Sequence, residues 1–389
     1  MAKNINDEVF DEATLTKLEI FKKCFKEWLP VFIYSDFIEK IYVYDFFAGS
    51  GKDIKNNFGS PLILLDTAKG DNLKYCSQIR KNGKEVSFVF NENEPSKKSQ
   101  DKFLLLRDNV ETFVEKCRLE NCKEGNCVYT TYFTNKTFKE GFNCIETDFR
   151  NILRNKNYAK FILLDQYGFS QVDEDVFQTL VKSPRTDFIF FISSSFIRRF
   201  KEHPNTKKYI DTKKINFEEQ NPNECHIAIA NYFEDLISPE IEYYINHFTI
   251  KKGSNYYGLI FGTNHTLGME KFLKVCWELD LQAGESNCNT RIDFEKSSLF
   301  GCLETNKVED LKRDLRRLIK EGTIKDNISG LKYALKKRCL PRFFTELIKQ
   351  LEKEEKIERI GSKSYISSSI HKIKQNSKGY YQIKIKNPW

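Results

Sequence analysis

"EIEYYINHFTIKKGSNYYGLIFGTN", residues 240–264, contains two strand-like runs separated only by Gly253, Ser254 and Asn255. A parallel crossover consumes a dozen residues or more, so these two runs must pair antiparallel. Upstream, apolar runs alternate with helical patterns. "KIYVYDFFAG" (40–49), "EVSFVFNENE" (85–94), "FNCIETDF" (142–149), "KFILLDQYGF" (160–169) and "TDFIFFISSS" (186–195) read as five strands. "SPLILLDTAK" (60–69), "NILRNKNYA" (151–159), "DEDVFQTLVKS" (173–183) and "ECHIAIANYFEDLIS" (224–238) read as helices between and after them. Nearly continuous apolar strands with helices between them describe a parallel sheet buried on both faces.

Five parallel strands closed by an antiparallel hairpin make the Rossmann-like sheet of the class I methyltransferases. A dehydrogenase sheet would continue with a parallel sixth strand. "TLGMEKFLKVCWELD" (266–280) adds a closing helix. At the other end, Leu18, Phe21, Phe25, Trp28 and Leu29 share one face of a helix over 13–29, which Pro30 is expected to stop. The methyltransferase-like domain is therefore placed at 1–282 and a linker at 283–300, where periodicity is lost.

Residues 301–389 form a second domain of different character. They carry 22 Lys and Arg against 11 Asp and Glu, so the whole surplus of a +8 chain lies there. "KVEDLKRDLRRLIKEG" is helical, and two further helices split at Leu340-Pro341. Phe344, Leu347, Ile348 and Leu351 form the buried stripe of the last. "IERIGSKSYISS" reads as two short strands about a Gly-Ser turn. Helices followed by a β-hairpin describe a winged-helix-like domain, and its charge implies an acidic partner, nucleic acid first. The competing use of such a domain is as a protein–protein adaptor.

Composition narrows the classes further. No segment is apolar for the length of a membrane span, and "MAKNINDEVFDE" is acidic where a signal peptide is basic and then greasy. A cytoplasmic protein is expected. The spacing of Cys117, Cys122 and Cys127 is wider than zinc sites use, and the five histidines show no ligand spacing, so no metal is expected.

The loop after the first strand, "DFFAGSGKD" (45–53), poses a choice of ligand. A phosphate loop needs glycine at 46 and a hydroxyl after Lys52, where the chain has Phe46 and Asp53. A dinucleotide fingerprint fails at Ile54. What remains is acid, aromatic, Gly, Gly: Asp45, Phe47, Ala48, Gly49 and Gly51 form a turn that can pass close to a cofactor at the sheet edge. S-adenosylmethionine suits it, because a sulfonium and an α-amino group favour an acid over a phosphate-binding cation. Glu92 ends the second strand, where ribose hydroxyls need an acceptor, with Glu94 as a substitute. Asp148 and Phe149 follow the third run and offer an acceptor and a ring for adenine. Each acid alone also reads as a solvated strand end.

The fourth strand ends in "LLDQYGF". Amino-directed nucleic-acid methyltransferases place an acid and an aromatic residue here. Asp165 can accept from the target amine, with the Gln166 carbonyl beside it, and Tyr167 or Phe169 can stack on a base taken out of the helix. Asp165, Gln166 and Tyr167 are thus the catalytic candidates. Arg198 and Arg199, after the fifth strand, are candidates for a phosphate.

Together "TKLEIFKKCFKEWLP", "YVYDFFAGSGKD", "FGSPLILL", "FNENEP", "FILLDQYGFSQV" and "YYGLIFGTNHTLGMEKFLKVCWELD" resemble the three-Cys-motif partner (TcmP) family over most of the chain. The resemblance implies a class I methyltransferase-like fold and a partner that looks like a radical-type iron–sulfur enzyme. It also implies a basic residue at Lys17, either to approach the substrate or to cap packing. The family's strand-four motif looks like D-P-[FY]-G, from which this chain departs at Gln166. The reading is thus an S-adenosylmethionine-dependent methyltransferase acting on a base amino group. The alternative is a catalytically weak or inactive methyltransferase-like module that binds nucleic acid or a partner.

Overall fold

The computed structural model describes residues 9–93, 102–122, 127–143, 148–166, 170–207, 209–215, 225–288, 306–375 and 377–387. Seven strands form one sheet: β1 (Lys40–Asp45), β2 (Glu85–Asn91), β3 (Tyr129–Thr134), β4 (Tyr158–Leu164), β5 (Thr186–Ile192), β6 (Tyr244–Lys252) and β7 (Asn255–Thr263). Their order is β3-β2-β1-β4-β5-β7-β6, with β7 alone running against the rest. This is the mixed, mostly parallel sheet that the 240–264 segment predicts. Lys252 pairs with Asn255, leaving Gly253 and Ser254 to make the turn, with Gly253 at φ 57°.

Helices cover both faces because the central strands are apolar on both. In β1, Ile41 and Val43 enter one core. Tyr44 enters the other, with Tyr42 packed against it. The first face carries α1 (Glu12–Ile33), α2 (Ser60–Lys69), α3 (Lys74–Lys81), α4 (Lys102–Asn121) and, further along, α11 (Thr266–Leu279). The second carries α5 (Phe138–Phe142), α6 (Phe149–Arg154), α7 (Glu174–Val181), α8 (Ser194–Arg199) and α10 (Cys225–Asp235), with α9 (Pro204–Lys207) beside them.

Three expectations are corrected. Helix α1 runs through Pro30 to Ile33. So close to the end, proline costs only one helical bond, while Ile33 is fully buried and Phe32 packs on Trp28 at 4.6 Å between ring centroids. The third strand is Tyr129–Thr134. Phe142 ends α5, Phe149 begins α6, and residues 144–147 lie outside the described residues. As an edge strand with one half-exposed side, β3 lacks the apolar run that marks its neighbours.

The third correction concerns the C-terminal region. There α12 (Asn306–Lys320), α13 (Asn327–Lys336) and α14 (Pro341–Lys353) precede a two-stranded sheet of β8 (Ile357–Gly361) and β9 (Tyr381–Ile385). Strand β8 pairs with β9 and not with the "KSYISS" segment. Arg359 donates to Glu352 and to the carbonyls of Ser362, Lys363 and Ser364, winding that segment around its guanidinium. Tyr381, fully buried, then fills the partner position. The stripe Phe344, Leu347, Ile348 and Leu351 is fully buried, as its spacing predicts. It shares a core with Met269, Leu273 and Trp277 of α11, so the two regions are packed together. Within the C-terminal region Gly330 lets α13 close on α14: a Cβ there would lie 2.1 Å from the Phe344 ring. At the linker, residues 285–287 bond to Thr249 of β6, and 289–305 lie outside the described residues. Among the described residues no helix is long and apolar enough to cross a membrane.

Candidate cofactor and substrate site

The chain leaves β1 toward β2 and then returns to β4 on the other side of β1. The crevice beyond the carboxyl ends of β1 and β4 is therefore the switch point of the sheet, where open α/β sheets take ligands. Register aligns the site residues: Asp45 stands level with Phe90 on β2 and Leu163 on β4. Glu92 and Asp165 each follow within two residues of those positions.

The glycine loop is braced from β2. Ala48 N–H donates to the Asn91 carbonyl at 3.0 Å, and Gly49 N–H donates to the Glu92 carboxylate at 2.8 Å. Gly49 and Gly51 adopt φ 62° and 82°, left-handed angles that disfavour a Cβ. Asn91, which sequence reasoning passed over, is almost fully buried. Its Nδ2 donates to the carbonyls of Phe46 and Lys136, and its Oδ1 accepts from Thr134 and Lys136, tying three loops together. Asn109 of α4 likewise holds the Ser50 carbonyl at 2.8 Å. Only a strand-end asparagine among acids hinted at the first, and nothing local marked the second. Asp53, the residue that fails the phosphate-loop test, accepts from Phe10, Lys55 and Asn57 and serves the loop's shape.

Asp45 is fully buried. Its Oδ1 accepts from Phe47 N–H at 3.1 Å, while Oδ2 has no hydrogen-bond partner among the described residues. Burial pushes its pKa up to about 7; the nearby Ser60 hydroxyl and the Phe47 N–H pull it down, and the charges of Asp165 and Glu92 raise it further. Three carboxylates thus converge on one crevice. Phe47 is half-buried and stacks on Phe138 at 5.4 Å.

Asp165 is held by Lys17 of α1, with Nζ 2.5 Å from Oδ2. The same ammonium lies 5.0 Å from the Phe191 ring centroid at the end of β5. Gln166 is buried, and its Oε1 accepts from the N–H groups of Gln171 and Val172. Its carboxamide therefore braces the loop, while the role expected of Gln166 falls on its backbone carbonyl. Tyr167 and Phe169 lie outside the described residues, as does Glu94.

Two adenine candidates are displaced. Asp148 does not end a strand: it is exposed at the start of α6, in a left-handed conformation, and accepts from Asn151. Phe149 is fully buried against Tyr44, Phe46 and Phe142, with centroids 4.6 to 5.3 Å away, so it has no free face for a ligand ring. Of the α8 arginines, Arg199 is exposed and reaches Asn255 at 3.5 Å, while Arg198 is partly covered.

No protein-family profile matches the chain, and no curated protein matches it. Two solved structures are similar in outline. Trm1 from Pyrococcus horikoshii, in complex with S-adenosyl-L-methionine, is 12% identical with a TM-score of 0.35, covering 98% of this chain and 92% of that one. A duf574 family protein from Streptomyces avermitilis is 9% identical with a TM-score of 0.30, covering 62% and 82%. Strand order and register by themselves establish a class I methyltransferase-like sheet.

Proposed function

We propose that the protein is an S-adenosylmethionine-dependent methyltransferase acting on an amino group of a nucleic-acid base. The observation that carries this reading is Asp45: a buried carboxyl with one unpartnered oxygen, beside a left-handed glycine turn and two further acids. An enclosed excess of negative charge is relieved by a cation and aggravated by a phosphate. The cofactor supplies an electrophilic methyl group on a sulfonium and a second cation in its α-amino group. Asp45 would take the cationic end, Glu92 would accept from ribose hydroxyls, and Gly49 and Gly51 would let the backbone lie against it.

On the substrate side, Asp165 would accept a hydrogen bond from the target amine, orienting its lone pair, and later receive the surplus proton. Lys17 holds that carboxylate in place through their ion pair. Alignment is the larger part of what such a transfer requires. Proline stiffens this position in the resembling family; here the Gln166 side chain braces the loop by two hydrogen bonds instead. That observation favours an active enzyme over the inactive-module alternative.

The C-terminal region is read as a winged-helix-like nucleic-acid contact. Lys363, Lys374, Lys378, Lys384 and Lys386 are exposed around β8 and β9, without an ion-pair partner among the described residues. Methyl-labelled S-adenosylmethionine offered with DNA, RNA and cell extract tests the proposal. Label is expected in one polynucleotide fraction and absent with Asp165→Asn. Polynucleotide binding without methyl transfer would support the module reading, and no cofactor binding would remove the enzyme reading.

A further inference from the structure

At the opposite edge of the sheet, near the amino ends of β4 and β5, the first core opens into a cavity of about 190 Å³. Its walls are aromatic: Trp28 and Phe32 of α1, Phe161 of β4, Phe261 of β7 and Phe272 of α11. Trp28 lies 5.1 Å from Phe161, and Phe261 stacks on Phe272 at 4.3 Å with planes 4° apart, so flat ring surfaces line the space. An apolar cavity of about 150 Å³ is enough to hold a benzene ring. This one has room for one ring and a small substituent.

Three polar side chains at its rim, Arg185, His265 and His371, keep a nitrogen without a hydrogen-bond partner among the described residues. Arg185 is exposed and makes no ion pair or hydrogen bond to a described residue through its guanidinium. His265 uses Nδ1 to accept from Leu267 N–H, which places its proton on Nε2. His371, from the C-terminal region, stands 5.5 Å from His265, and its buried Nδ1 has no hydrogen-bond partner among the described residues. The amino end of the fourteen-residue α11 adds its partial positive charge. The remaining charges are occupied. Asp187 accepts from Trp28 Nε1–H at 2.6 Å, and Lys271 is paired with Glu27.

We propose that this cavity is a binding site for a single-ring aromatic anion, the ring held between the aromatic walls and a carboxylate or equivalent group held by Arg185, His265 and His371. Flat walls select a planar body, and a rim with donors to spare selects an acceptor with negative charge. This site is independent of the reading of the glycine loop.

Fluorine NMR of 4-fluorobenzoate with the full-length protein tests it, with benzoate, benzamide and benzamidine as competitors of the same shape and different charge. The fluorobenzoate signal is expected to broaden and to be restored by benzoate but not by benzamidine. Arg185→Asn suits a position at φ 50°, which asparagine tolerates, and is expected to weaken binding about tenfold or more. Val31→Trp is expected to fill the cavity and abolish binding. Unfolding temperatures of both variants, measured alongside, show whether the fold is retained. No broadening at millimolar probe, displacement by benzamidine as effective as by benzoate, or unchanged affinity in Arg185→Asn would each overturn the proposal.

Discussion

Asp45 and Asp187 are two buried acids on neighbouring parts of one sheet, and they teach different things. Burial raises both, Asp45 to about 7 and Asp187 to about 6. Asp187 sits at the amino end of β5, where Trp28 Nε1–H donates to its Oδ2 at 2.6 Å. Asp45 sits at the carboxyl end of β1, with the Ser60 hydroxyl nearby and an Oδ2 that makes no hydrogen bond to a described residue. A raised pKa is common to both, so it does not by itself mark a functional site. The unserved acceptor, in a crevice where the topology puts ligands, is what separates the binding acid from the structural one.

The largest expected effect lies just beyond this pair. Asp165→Asn should lower methyl transfer by about a hundredfold or more while cofactor affinity, measured by calorimetry, changes little. Loss of both together would mean that Asp165 belongs with Asp45 in cofactor binding. Next, Asp45→Asn should weaken cofactor affinity by about thirty- to a hundredfold, the worth of a charged hydrogen bond. Wild-type affinity should rise with pH up to about 7 and then level, because the carboxylate must ionise to meet a cation. The variant should show no such rise.

Stability should move the other way. A carboxyl whose folded pKa is raised holds its proton when the unfolded chain has released it. It therefore costs stability as pH climbs from about 4 toward 7. Asp45→Asn should thus unfold at a higher temperature than wild type at pH 8, and the gap should close by pH 4. An unstabilised variant would show that a hidden partner already serves Asp45.

Trp28→Phe probes the structural acid. Asp187 loses a donor while ring packing is largely kept, so unfolding free energy should fall by about 1–3 kcal/mol with cofactor affinity unchanged. The smallest effect concerns the basic region. Replacing Lys378 or Lys384 by Gln should reduce the slope of log affinity against log salt for polynucleotide by about one each, uniformly across sequences.

How much of this was legible beforehand varied with the kind of signal. Strands buried on both faces announced themselves, and the two-residue turn at Gly253-Ser254 settled direction by its shortness. The edge strand β3 did not, because half of it faces outward, and its misplacement put Asp148 and Phe149 at a strand end, where the structure has the start of α6. Pro30 overstated its power, since a proline in the last turn is outvoted by the burial of Ile33. The pairing of β8 with residues 381–385 depended on Arg359 gathering three carbonyls, an arrangement with no local pattern.

The sequence by itself determined the alternation of elements, the antiparallel closing hairpin, the glycine turn that suits no phosphate and the basic C-terminal quarter. These are properties of neighbours along the chain: apolar period, gap length, backbone freedom and charge count. Only the tertiary structure decided that Lys17 meets Asp165, that Asn91 binds three loops, that Phe149 is core and that Asp45 keeps an unserved oxygen. Each depends on groups brought together from distant segments, where burial and competition for hydrogen bonds set the outcome.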